Sequence, residues 1–259
     1  MGDGLQMEER GMTEQRIPAE FYSLPYFDSF KIPRYLNFKR KQEQLSWEEI
    51  ITYVNLNLDY PFYEMIREIS NPDNLTVLVN KYNRLPMNYI PQDLESIHPD
   101  FNSGEFKLRQ EARVAFEKMG RAAGQDGIMI QAISTFRSFD YQEEVYFRKK
   151  SPEISMEEYR KERDRVSARP GHSEHQTGLA VDINDLEQSF EQTPAGKWLA
   201  ANSYHFGYIL RYPKGKEYIT GYDYEPWHFR YLGPKLATEI HKLRITFDEY
   251  YIRYLSQIL

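Results

Sequence analysis

Residues 173–183 read Ser173-Glu174-His175-Gln176-Thr177-Gly178-Leu179-Ala180-Val181-Asp182-Ile183. The apolar run from Leu179 is too short for a helix and ends in β-branched residues, so it predicts a buried strand. Gly178 permits a tight turn into that strand. Asp182 interrupts it. An ionised carboxylate in an apolar strand is costly unless it is paired or bound to a metal.

Working outward, Tyr208-Ile209-Leu210-Arg211-Tyr212 and Trp227-His228-Phe229-Arg230-Tyr231 predict two more strands. Gly127 to Ile133, with Ile128 and Ile130 in alternation, predicts a fourth, which delivers Phe136-Arg137 to its end. Helices are expected over 108–123, where Ala112, Ala115, Phe116, Met119 and Ala123 recur at three and four with Gly124 as cap, and over 139–149, capped by Ser138. Ser46/Glu49, Ser155/Glu158 and Thr246/Glu249 are capping boxes that open helices at Trp47, Met156 and Phe247. Thr193-Pro194 opens another that ends before Gly207, and Pro234 to Leu259 is expected to be helical. Helices and strands mix without βαβ alternation. The fold class is therefore α+β, a small antiparallel sheet flanked by helices, with a helical N-terminal extension. The organisation expected is a disordered or appended tail over 1–16, an extension over 17–84 and one domain over 85–259.

The chemistry concentrates in the same region. Of the six histidines, His98, His172, His175, His205, His228 and His241, four lie between 172 and 228. His175, Asp182 and His228 offer two imidazoles and a carboxylate, the set that a catalytic zinc takes while leaving a fourth position for water. Glu225, three residues before His228, is the candidate general base. Arg137 can meet a substrate carboxylate or a developing oxyanion with its planar fork. Each residue singly also has an ordinary reading: His228 as a hydrogen-bonding core histidine, Asp182 as a strand-end cap, Arg137 as an ion-pair partner, Gln142 as helix surface. His172, His205 and His241 are read as structural or surface residues.

Composition narrows the classes. The 259 residues are 41% hydrophobic with 21 Tyr and 15 Phe, enough for a real core. The net charge of -6 and the lack of a basic run argue against nucleic acid as partner. No stretch approaches the 18 or so apolar residues of a membrane span. With no cysteine there is neither a thiolate zinc site nor a cysteine nucleophile. No signal-peptide core follows Met1, so the chain is expected either to be cytosolic or to have lost a leader or anchor.

Three motifs in order carry a family resemblance. Ser173 to Asp182 resembles the SxHxxGxAxD motif of the VanY-type D-alanyl-D-alanine carboxypeptidases, zinc peptidases of the M15 family (subfamily B) that are related to LdcB-like L,D-carboxypeptidases. Glu225-Pro226-Trp227-His228 resembles that family's ExWH motif. Phe136-Arg137-Ser138-Phe139-Asp140-Tyr141-Gln142 is similar to its YRSxxxQ segment, with Phe136 in place of the usual Tyr. The likeness covers roughly residues 85–233.

The resemblance implies the Hedgehog/D,D-peptidase-like zinc peptidase fold and one zinc per chain held by His175, Asp182 and His228. It implies Glu225 as general acid and base, Arg137 as stabiliser of the scissile carbonyl oxygen or substrate carboxylate, and Ser173, Gln142 and Trp227 at the substrate. The activity implied is removal of the C-terminal D-alanine from peptidoglycan stem peptides by attack of a zinc-bound water, outside the cytoplasmic membrane with a signal or anchor removed. The alternatives are an L,D-carboxypeptidase acting on tetrapeptide stems and a non-catalytic cell-wall-binding module. Glu225 speaks against the module, which needs no base beside the metal.

Overall fold

The computed structural model describes residues 16–256; the expected tail lies outside them save for Arg16. Two short 3₁₀ turns, Ala19–Ser23 and Ser29–Lys31, lead into a packed helix pair, α1 (Ile32–Lys41) and α2 (Trp47–Asn55). The Ser46/Glu49 capping box is formed, satisfying free N–H groups at the start of α2. Tyr35, Ile50, Ile51 and Val54 close the seam of this pair, and Arg34 grips Asp59 at 2.6 Å. Two short strands, β1 (Arg67–Glu68) and β2 (Asn83–Arg84), pair in parallel. Between them Lys81 buries its ammonium among the rings of Tyr222, Tyr63 and Phe62, 4.3, 5.0 and 5.1 Å from the centroids, and donates to the Asp164 carbonyl.

A β-hairpin follows, β3 (Leu94–Ser96) against β4 (Lys107–Arg109), and leads directly into α3 (Gln110–Gln125). Helix α3 begins two residues later than the periodicity predicts, because Leu108 is engaged across from Glu95 and Arg109 N–H donates to the Gly178 carbonyl. Gly124 lies inside the helix; the left-handed turn that ends the segment is at Gly127, φ 73°. Then come β5 (Ala132–Ser134), α4 (Phe139–Phe147), α5 (Met156–Arg163), β6 (Ala180–Ile183), α6 (Pro194–Asn202), β7 (Tyr208–Leu210), α7 (Glu217–Thr220), β8 (His228–Tyr231), α8 (Pro234–Leu243) and α9 (Phe247–Tyr250). Strand β5 is shorter than expected. The Asn184 side chain takes the N–H of Gln131 and donates to the Met129 carbonyl, filling that stretch in place of a ladder. The expected C-terminal helix is broken at Arg244, φ 55°, and restarts on the Thr246/Glu249 capping box; its last three residues lie outside the described ones.

The central sheet has the order β5-β6-β8-β7 and is antiparallel throughout. Side chains alternate across it. Val181, Ile183, Phe229 and Tyr231 point into the main core with Phe116 of α3 and Leu199 of α6. Asp182, His228 and Arg230 occupy the opposite face. Flanking segments seal that face. Tyr53, Leu56 and Leu78 pack with Ile209, Leu232, Phe247 and Tyr250 in a second cluster, and Arg230 Nη2 donates to the Leu75 and Val77 carbonyls at 2.9 and 3.0 Å. Among the described residues no helix is long and apolar enough to cross a membrane.

Candidate metal centre and active site

Register builds the site. In the β6–β8 ladder Asp182 stands directly opposite His228, so their side chains share a face. His175 arrives from a one-turn 3₁₀ segment, Glu174–Thr177, capped by the Ser173 hydroxyl and ended by Gly178 at φ 66°. Ser134 pairs with Asp182, so the chain leaving β5 runs past His175: Arg137 N–H donates to the His175 carbonyl at 3.2 Å. The three sequence-predicted ligands thus meet. Their donor atoms lie within 4.8 Å of one another, with His175 Nε2 3.2 Å and His228 Nδ1 3.0 Å from the Asp182 oxygens.

The donor set fits a metal ion. His175 Nδ1 is 2.7 Å from the Thr135 carbonyl, which can only accept, so the ring proton sits there and the Nε2 lone pair is free. Burial by itself would raise the Asp182 carboxyl, but the two imidazoles hold it well below the usual carboxylate range. Burial pulls His175 down to about 4, aided by Arg137 and opposed by Asp182. His228 moves the other way, to about 9, because the Asp182 and Glu174 carboxylates outweigh its burial.

Glu225 lies at the mouth of the β8 turn, its Oε2 3.9 Å from His228 Nδ1. Burial pushes its carboxyl up to about 8; the His228 ring opposes this and the Asp182 charge adds to it. A carboxyl in this position can accept and return a proton. Arg137, with a buried Nε that has no hydrogen-bond partner among the described residues, lines the same cavity of about 420 Å³. Ser173, Gln142 and Trp227 line it too. Gln142 donates to the Ala168 carbonyl at 2.7 Å, leaving its Oε1 without a partner among the described residues.

The histidines read as structural are so placed. His172 Nδ1 meets the Asn80 carbonyl at 2.8 Å, and His205 and His241 flank the Tyr204 ring with centroids 4.0 and 3.8 Å away. Sequence reasoning missed Glu174, Arg211, Arg230 and Tyr212. Glu174 is wholly buried against both arginines, and the Tyr212 ring lies 4.9 Å from that of His228. Arg230 shares the strand phase of His228, a signal that its face is buried; nothing local marks Glu174.

Two imidazoles and a carboxylate converging beside a glutamate in a cleft are the donor set of a mononuclear zinc hydrolase. A family model described as VanY, D-alanyl-D-alanine carboxypeptidase, matches residues 105–234. The putative carboxypeptidase YodJ of Bacillus subtilis (strain 168) is 42% identical over 196 residues, 72% of this chain and 70% of that protein. Among solved structures, the LdcB LD-carboxypeptidase superposes with a TM-score of 0.66 at 42% identity, over 73% of this chain and 91% of the other. A variant of the vancomycin-resistance D,D-pentapeptidase VanY, in complex with Zn(II), gives 0.59 at 34% identity, over 68% and 97%. The chain belongs to the VanY family of carboxypeptidases and is a zinc metallocarboxypeptidase.

Proposed function

We propose that the protein is a D,D-carboxypeptidase that removes the terminal D-alanine from peptidoglycan stem peptides outside the cytoplasmic membrane. The observation that carries this is the meeting of His175, Asp182 and His228 with Glu225 and Arg137 in one cavity. His175, Asp182 and His228 would hold the zinc, which when bound would supply Lewis acidity toward water and the scissile carbonyl. Glu225 takes the proton from the attacking water and returns it to the leaving amine. Arg137 meets the oxygen that gains charge, or fixes the substrate carboxylate, and its uncommitted Nε is consistent with either task. Ser173 and Gln142 offer polar contacts to the peptide, and Trp227 walls it. No side-chain nucleophile enters, so β-lactams should not acylate the protein.

The likeness to the LdcB LD-carboxypeptidase, at 42% identity, favours a second reading in which the residue before the scissile bond is L-configured. Incubation with defined pentapeptide and tetrapeptide stems, read by product mass, separates the two. Loss of one alanine from the pentapeptide alone supports D,D-cleavage; trimming of the tetrapeptide alone overturns it.

A further inference from the structure

Glu174 lies next to a proposed ligand in sequence yet points away from it, into the protein. Its side chain is wholly buried. Its two oxygens have different surroundings. Oε1 accepts from Arg211 Nε at 2.7 Å and lies 3.1 Å from Arg230 Nη1. Among the described residues Oε2 has no hydrogen-bond partner, and 3.7 Å away is His228 Nε2, which likewise has none. A carboxylate present only to neutralise arginines would turn both oxygens to them. This one keeps an oxygen for the imidazole.

We infer that Glu174 is a positioning residue for His228, fixing the ring's orientation and its proton at Nε2 so that Nδ1 presents a lone pair to the metal. The inference rests on the ligand assignment proposed above. His228 Nδ1 faces Asp182 at 3.0 Å, so if that nitrogen binds zinc the ring proton must sit on Nε2. The carboxylate oxygen that faces that proton is Glu174 Oε2, 3.7 Å from Nε2 and within ion-pair distance. His175 is arranged the same way in mirror order, with Nδ1 on the Thr135 carbonyl and Nε2 toward Asp182.

Glu174 is itself held. Arg211 Nη1 donates to Asp248 Oδ2 at 2.6 Å, and Asp248 Oδ1 accepts from Asn80 Nδ2 at 2.9 Å. Two arginines face two carboxylates, so the buried group balances its charge without drawing on the metal ligands. Asp248 and Asn80 both lie outside the family-matched residues 105–234.

The test uses the full chain and zinc itself. Imidazole ¹⁵N resonances of the zinc-loaded wild type should show His228 metal-bound at Nδ1 and protonated at Nε2, and His175 the reverse. Zinc affinity, measured by chelator competition, should fall ten- to a hundred-fold in Glu174→Gln, with the variant still folded by circular dichroism. A His228 protonated at Nδ1, or a folded Glu174→Gln with wild-type affinity and an unchanged His228 resonance, overturns the inference. If Glu174→Gln does not fold, the His228 Nε2 proton of the zinc-loaded wild type decides: a downfield, exchange-protected resonance supports the inference, and a rapidly exchanging one overturns it. His175→Ala serves as the separate control. If it keeps tightly bound zinc, the ligand assignment fails; if it loses zinc while Glu174→Gln does not, only the present inference fails.

Discussion

Glu225 and His228 are three residues apart and share a turn, yet the proposed chemistry gives them different partners: the water proton for one, the metal for the other. Glu225→Gln keeps volume and removes the proposed base. Turnover should fall by roughly 10²–10⁴, while zinc content and thermal stability stay near wild type. Loss of zinc in that variant would make Glu225 a ligand, and unchanged turnover would pass its role to another residue. A second residue-scale prediction concerns His172, which burial lowers to about 4 despite the Asn80 carbonyl it meets. Between pH 6.5 and 4 the unfolded chain takes up a proton that the folded chain refuses. This residue's share of stability is therefore intact above pH 6.5 and is lost as pH falls toward 4, by up to about 1.4 kcal/mol per pH unit. His172→Gln should flatten that slope. A His172 ring that titrates by NMR near 6.5 would contradict the argument.

The 3₁₀ turn and strand β6 together present His175 and Asp182, and Gly178 joins them at φ 66°. A Cβ there would come within 2.8 Å of Leu94 Cδ2 and 3.0 Å of Arg109 Cγ. Gly178→Ala should cost about 2 kcal/mol or more, from the left-handed backbone plus the clash; a denaturation midpoint equal to wild type would show that the hairpin yields instead. At this scale much was legible in advance. The caps at Ser46, Ser138, Ser155, Thr193 and Thr246 are local chemistry, and all five form. So is the phase of β6 and β8, which placed Asp182 and His228 at one site. What was not legible is what depends on distant partners. Ile128 and Ile130 alternate like a strand, but Asn184, more than fifty residues on, occupies the backbone groups of Met129 and Gln131 beside them. Glu174 reads as a polar residue of a turn until Arg211, 37 residues later, is seen against it.

At the level of the whole chain, the face of the sheet that carries Asp182 and His228 is closed by segments outside the family-matched part. Leu75 and Val77 supply the acceptors of Arg230, and Leu78 joins Ile209 and Phe247. A chain that starts at Leu85 would leave a buried guanidinium without those partners and uncover an apolar cluster. It should fail to unfold cooperatively, and a sharp thermal transition in that truncation would show that residues 17–84 are a separable attachment. The same seam has a chemical corollary at Lys81. Its amine, brought down to about 8 by burial, would otherwise rank among the readier nucleophiles toward acylating reagents. Held among three rings and a carbonyl, it is withheld from them while the seam is shut. The rate at which it is acylated in the native protein is therefore a clock for how often the N-terminal segment lifts from the wall of the cleft.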